Sequence, residues 1–140
     1  MKIEGKWIGQ YTYGEMYPAN YIGKSISFEM NLTATGIEFY GSFSDDETRD
    51  IFQDSGIVTG FIEGTYISFD KQYPKAVEID GNGLIKVLEN SIPALIKYEG
   101  ELSGNQFEGT WEIHQYYKEA DEFFSMVLGA GTWNMRKSIP

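Results

Sequence analysis

The chain has no cysteine. That removes disulfide staples, thiolate metal sites and a cysteine nucleophile together, and it is compatible with a reducing compartment. Histidine is nearly absent too, His114 being the only one. No run of about 18 apolar residues occurs, and no apolar core follows Met1-Lys2-Ile3-Glu4-Gly5, so neither a membrane span nor a signal peptide is expected. A cytoplasmic protein is the resulting expectation. Positive charge is scarce: 11 Lys and Arg stand against 21 Asp and Glu, a net charge of −10. Such a surface repels phosphate, and no basic cluster offers an exception, so neither nucleic acid nor an anionic membrane is an expected partner. The acidity itself is that of an ordinary soluble surface and does not name a cationic partner.

Aromatic residues and glycine are plentiful. Ten Tyr, nine Phe and sixteen Gly are spread over 140 residues, with only four Pro. Aromatic residues interleaved with glycine suit a curved, pleated sheet better than a helical bundle. The order of the residues agrees, because alternation with a period of two dominates. Ile96, Tyr98, Gly100 and Leu102 share one face, and Lys97, Glu99, Glu101 and Ser103 the other. After the turn Ser103-Gly104-Asn105-Gln106, Phe107, Gly109, Trp111 and Ile113 alternate with Glu108, Thr110, Glu112 and His114. This is an antiparallel hairpin.

The same alternation marks Trp7 to Tyr13, Ile26 to Leu32, Ile37 to Phe43, and the pair Ile57 to Ile62 with Tyr66 to Tyr73. Val77 to Ile79 and Leu84 to Leu88 flank the turn Asp80-Gly81-Asn82-Gly83, and Thr132 to Lys137 is a last strand. Two segments break the pattern. Ser44-Asp45-Asp46-Glu47 has the spacing of a capping box, so 45–53 is expected to form a short helix. Tyr117 to Gly129 fits either a helix with Ala120, Phe123, Phe124 and Val127 on one face or a loop packed by its aromatics. The expected fold is all-β: residues 1–140 as one domain, a single antiparallel up-and-down β-barrel of about 8–10 strands with one or two short helices.

Three segments share one spacing: Gly5-Lys6-Trp7, Gly109-Thr110-Trp111 and Gly131-Thr132-Trp133. A Trp two positions after a Gly projects from the same face into the space the Gly leaves open. Gly5-Lys6-Trp7 on the first strand, with Arg136 near the end of the last, resembles the signature of the calycin superfamily: lipocalins, fatty-acid-binding proteins and avidin-like barrels. The resemblance implies barrel closure by Gly5, Trp7 and Arg136, with Trp7 plugging one end and the basic side chain lying over it. The opening Gly5-Lys6-Trp7-Ile8-Gly9 and the pair Tyr17-Pro18 are also similar to haem-binding nitrobindin-like barrels. His114, however, has the outward parity of Glu108 and Glu112, so no haem or other cofactor and no metal is expected.

The acidic run Asp45, Asp46, Glu47, Asp50 and Asp54 lacks calcium-loop spacing and is expected to be a solvated face. Catalysis meets a parity problem. Glu29, Glu38, Glu99, Glu101, Glu108 and Glu112 alternate out of phase with the large apolar residues. The titratable residues in phase are the tyrosines Tyr11, Tyr13 and Tyr98, and no catalytic residue is assigned. The inward set also holds Phe61 and Met135. A ligand pocket is expected from Tyr11, Tyr13, Phe28, Met30, Phe39, Phe69, Tyr98, Trp111 and Trp133, an apolar lining with a few hydroxyls. The leading functional expectation is non-enzymatic binding of a small apolar or aromatic molecule. One alternative is a ligand-free interaction or structural module that meets a partner through exposed loops or the acidic segment 45–54; an outward apolar patch at residues such as Ile8 or Tyr40, and homo-oligomers in solution, would favour it. The other is a calycin-like lyase or isomerase with a polar cluster in its cavity.

Overall fold

The computed structural model describes residues 2–80 and 82–138, and at 115–118 and 123 the backbone alone. Gly81 and the side chains of Tyr117 and Phe123 thus lie outside the described residues. Ten strands follow one another: β1 (Gly5–Tyr13), β2 (Ser25–Thr35), β3 (Glu38–Asp45), β4 (Gly56–Glu63), β5 (Tyr66–Gln72), β6 (Ala76–Ile79), β7 (Ile85–Leu88), β8 (Leu95–Ser103), β9 (Gln106–Glu119) and β10 (Glu122–Lys137). Eight of them close into an antiparallel barrel in the order β1-β10-β9-β8-β5-β4-β3-β2, and β6 and β7 pair separately. Consecutive strands are neighbours throughout the barrel except that β5 passes to β8 across the β6–β7 hairpin. This is the up-and-down meander that the alternation predicts. In β2, Ile26, Phe28, Met30 and Leu32 are buried while the intervening residues face outward or are partly covered.

The two ends of the barrel differ. At one end β2–β3, β4–β5 and β8–β9 are joined by tight turns whose Gly36, Gly64 and Gly104 take φ of 64, 61 and 64°. That left-handed region is open to glycine at little steric cost. At the other end lie the long connections: 14–24, 46–55, 73–94 and the outer part of the β9–β10 hairpin. The first end is sealed. Trp7 is 1% exposed, packs on Phe107 with ring centroids 5.6 Å apart, and donates its indole N–H to the Ile3 carbonyl at 2.7 Å.

The packing of Arg136 over Trp7 is not what the strands produce. Trp7 stands opposite Lys137 in register, and Arg136 stands opposite Ile8 on the exposed outer face. Lys137 instead crosses Gly5, where a Cβ would come 2.9 Å from its Cε, and its Nζ donates to the Lys2 carbonyl at 3.0 Å. The other two Gly-x-Trp segments face each other. Trp111 is paired with Gly131 and Trp133 with Gly109; the Trp111 indole fills the space above Gly131, and the Trp133 indole the space above Gly100 on the neighbouring strand. Each indole N–H also reaches the carbonyl of the partner's middle residue, Trp111 to Thr132 at 2.9 Å and Trp133 to Thr110 at 3.1 Å.

Three expectations need correction. Among the described residues no helix forms. Residues 46–51 are a series of turns, with Arg49 N–H bonding the Asp45 carbonyl and Phe52 N–H the Thr48 carbonyl, too few bonds to propagate a helix. Tyr117 to Gly129 is neither helix nor loop but the tip of the β9–β10 hairpin, with a register shift between Val127 and Gly129. Phe61 is 36% exposed, because Val58 fixes the inward parity of β4 and places Phe61 on the other face. Ile8 and Tyr40 are exposed on the outer face, as their parity requires.

Two substitutions test this account. Trp7→Ala is expected to cost about 3–5 kcal/mol in urea-induced unfolding, and a loss well under ~1 kcal/mol would contradict a plugged barrel end. Gly109→Ala places a Cβ against the Glu99 carbonyl and 2.6 Å from the Gly100 Cα. Backbone cannot step aside as a side chain does, so a loss of at least about 1–3 kcal/mol is expected from the same measurement.

Candidate functional site

The open end leads into a cavity of about 750 Å³, a size that encloses small organic molecules. Its apolar walls come largely from the β6–β7 hairpin and its flanks, including Val77, Ile79, Ile85, Leu88 and Ile92, with Ile113 and Leu128 from the long hairpin opposite. The β1–β2 connection adds Met16 and Tyr17. Gly129 makes room for Tyr17, since a Cβ there would overlap the Tyr17 hydroxyl.

Of the nine residues expected to form a pocket, Tyr11, Tyr13, Tyr98 and Trp111 line this cavity. Phe28, Met30, Phe39, Phe69 and Trp133 do not line it and are at most 2% exposed, packed where the barrel is filled. Phe69 stacks on Tyr98 at 4.8 Å, with Trp133 edge-on to both at 5.3 and 5.5 Å. Inward parity therefore identified residues inside the barrel. It could not tell the filled half from the open half, which depends on how far along the axis each residue lies.

A polar network forms the inner surface of the cavity. Asp45, 0% exposed at the end of β3, caps the turn that follows. Its Oδ1 accepts from the Thr48 N–H and Oγ1, both at 2.8 Å, and from the Glu47 N–H at 3.1 Å. Its Oδ2 accepts from the Tyr73 hydroxyl at 2.5 Å. Fixing this turn aims Glu47 inward. There Glu47 Oε1 accepts from the hydroxyls of Tyr11, at 3.1 Å, and Tyr13. Behind Tyr98, Lys71 is 1% exposed, donates to the Tyr98 hydroxyl at 3.2 Å, and lies 3.5 Å from the Phe28 ring centroid.

Burial sets the protonation of these groups. It pushes the Lys71 ammonium down to about 7, against the pull of Asp45 in the other direction. It raises the Glu47 carboxyl above its usual range despite the two tyrosine hydrogen bonds. It also raises the hydroxyls of Tyr11, Tyr13, Tyr17, Tyr73 and Tyr98, which therefore keep their protons well past neutral pH.

Lys71, Asp45, Glu47, Tyr73 and Tyr17 were not among the candidates expected from sequence. Two of them carried a readable signal. Lys71 lies two residues after Phe69 and four after Ile67, and Asp45 two after Phe43, so both are in phase with the core. The tyrosines are thus not the only inward titratable groups. Within the acidic run Asp46, Asp50 and Asp54 are exposed as expected, while Asp45 is buried and Glu47 partly so. Glu47 sits in a turn, where strand parity has no meaning. His114 is paired with Glu112 at 2.9 Å, away from the cavity lining. Among the described residues no group of three His, Cys, Asp or Glu is placed to hold a metal ion, and no helix is long and apolar enough to cross a membrane.

No family model, curated protein or solved structure matches the chain.

The buried lysine has a measurable consequence. Lys71 titrates near 7 when folded and near 10.5 when unfolded, so between those values the unfolded chain binds more protons and stability rises with pH. Stability is expected to climb from about pH 7 to pH 10, by at most ~1.4 kcal/mol per pH unit, in denaturant titrations. Lys71→Met is expected to flatten that slope, and an unchanged slope would assign it elsewhere. Asp45→Ala strands the Tyr73 and Thr48 hydroxyls and two backbone N–H groups, so a loss of about 3 kcal/mol or more is expected.

Proposed function

We propose that this protein binds a small, largely apolar or aromatic molecule in the mouth of its barrel, without transforming it. The observation that carries this reading is the cavity of about 750 Å³ with apolar walls and a cluster of hydroxyl and carboxyl groups on its inner surface. A barrel that only needed a core would bring aromatic side chains together until the lumen was full. Here the filling stops partway. One plugged end, with Trp7 buried in it, and one open end also support the reading as a calycin-like carrier, whereas Arg136 lies on the outer face.

A second reading rests on Glu47. A carboxyl inside a cavity, raised by burial and held by two tyrosine hydroxyls, has the character of a general acid or base. A lyase or isomerase acting by proton transfer would use such a group. The two readings part on the fate of the bound molecule: a carrier returns it unchanged, and an enzyme returns a different mass or an exchanged proton.

The test is binding of the neutral fluorophore N-phenyl-1-naphthylamine, together with native mass spectrometry of protein from its own source. Saturable dye binding is expected in the wild type and strong weakening in Ala94→Trp, which fills the cavity wall. Absence of dye binding and of any retained molecule would sink the proposal.

A further inference from the structure

The buried polar side-chain atoms around the cavity are engaged with one another. Tyr73 and Thr48 bond Asp45, Tyr98 bonds Lys71, and Tyr11 and Tyr13 bond Glu47 Oε1. The second oxygen of Glu47 is the exception. Among the described residues Glu47 Oε2 is the buried side-chain polar atom that has no hydrogen-bond partner. A buried acceptor in that state carries an uncompensated desolvation cost, and a donor brought by a bound molecule removes it.

The charge around the cavity has one sign. Its described lining includes two charged residues, Glu47 and Glu78, and no Lys or Arg. The nearby cations stay out of the lining: Lys71 lies behind Tyr98 among aromatic rings, and Lys24, whose charge reaches Glu47, lies over the Tyr21 ring at 4.8 Å. Beside Glu47, three rings in mutual contact line the cavity. Tyr13 meets Tyr17 at 4.5 Å and Trp111 at 5.9 Å, and Tyr17 meets Trp111 at 6.1 Å. Aromatic faces attract cations, and a cluster of rings next to a carboxylate is a recurrent way of holding an ammonium group out of water.

We propose that the molecule held in the mouth carries a protonated amine on an apolar body. Glu47 is its counter-ion, Tyr13, Tyr17 and Trp111 surround the ammonium group, and the apolar walls take the body. Glu78 adds to the negative field at the cavity wall. This inference rests on the cavity-binding reading and narrows it to a ligand class. Anionic amphiphiles such as fatty acids are disfavoured by the same two carboxylates. A neutral alcohol can donate to Glu47 Oε2 but gains nothing from the rings or the charge.

The experiment compares three probes of one shape by isothermal titration calorimetry and by displacement of N-phenyl-1-naphthylamine: tryptamine, its neutral analogue tryptophol, and anionic indole-3-propionate. Tryptamine is expected to bind at least about tenfold more tightly than tryptophol, with indole-3-propionate weakest. Glu47→Gln is expected to abolish the preference for tryptamine while leaving tryptophol nearly unchanged. Equal or tighter binding of tryptophol, or an undiminished preference in Glu47→Gln, would overturn the amine assignment. Because the wild-type comparison stands alone, a misfolded variant does not rescue the proposal. If the dye binds but tryptamine does not displace it, the amine assignment fails and the cavity-binding reading survives. If neither dye nor indoles bind, both fail.

Discussion

A closed eight-stranded barrel has a lumen of nearly fixed width, and the rest of this structure follows from how that width is filled along its length. Toward the sealed end, Trp7, Phe107, Phe39, Phe69 and Trp133 close the space. Glycines make this possible, because Trp111 uses the volume that Gly131 gives up and Trp133 the volume above Gly100. Toward the mouth the inward residues are tyrosines, whose hydroxyls need partners. That need brings charged groups inside, and with them the chemistry of the cavity.

Asp45 connects the barrel wall to that chemistry. It ends β3, caps the turn carrying Glu47 and Thr48, and receives the hydroxyl of Tyr73, where the chain leaves β5 for the β6–β7 excursion. One buried carboxyl thus fixes two of the connections that frame the mouth. Lys71 lies close enough for Asp45 to oppose its loss of charge. Its ammonium group sits among Phe28, Tyr98 and Phe43. Partial neutralisation and aromatic contact are the two ways such a group tolerates burial, and both operate here.

The long connections collect at one end for a topological reason. In an up-and-down meander, alternate connections lie at opposite ends, so tight glycine turns at every second position confine the longer ones to the other rim. The β6–β7 hairpin, lying outside the barrel, becomes a wall of the cavity rather than part of the closed sheet. A stretch that alternates like a strand can therefore serve as barrel stave or cavity wall, and only the pairing distinguishes them.

Alternation along the chain was enough to determine the all-β class, most strand positions and the inward face of most strands, because a pleated strand allows only two directions for a side chain. It also held the clue to Lys71 and Asp45, in phase with Phe69 and Phe43. The neighbouring segments misled where the residue types favoured another element: the acidic start of 45–53 suits a helix, yet Asp45 spends its carboxyl on holding a turn against the barrel wall. The role of Arg136 failed although its parity was legible, since Trp133 and Met135 point inward and the residue after Met135 therefore points outward. What only the tertiary structure decided was depth along the barrel and contact across it. Those determine why Phe28, Met30 and Phe39 fill space while Tyr11, Tyr13 and Trp111 border it. The three Gly-x-Trp segments show both sides: their spacing announces a tight, curved sheet, but only strand pairing reveals that two of them face each other and the third seals the end.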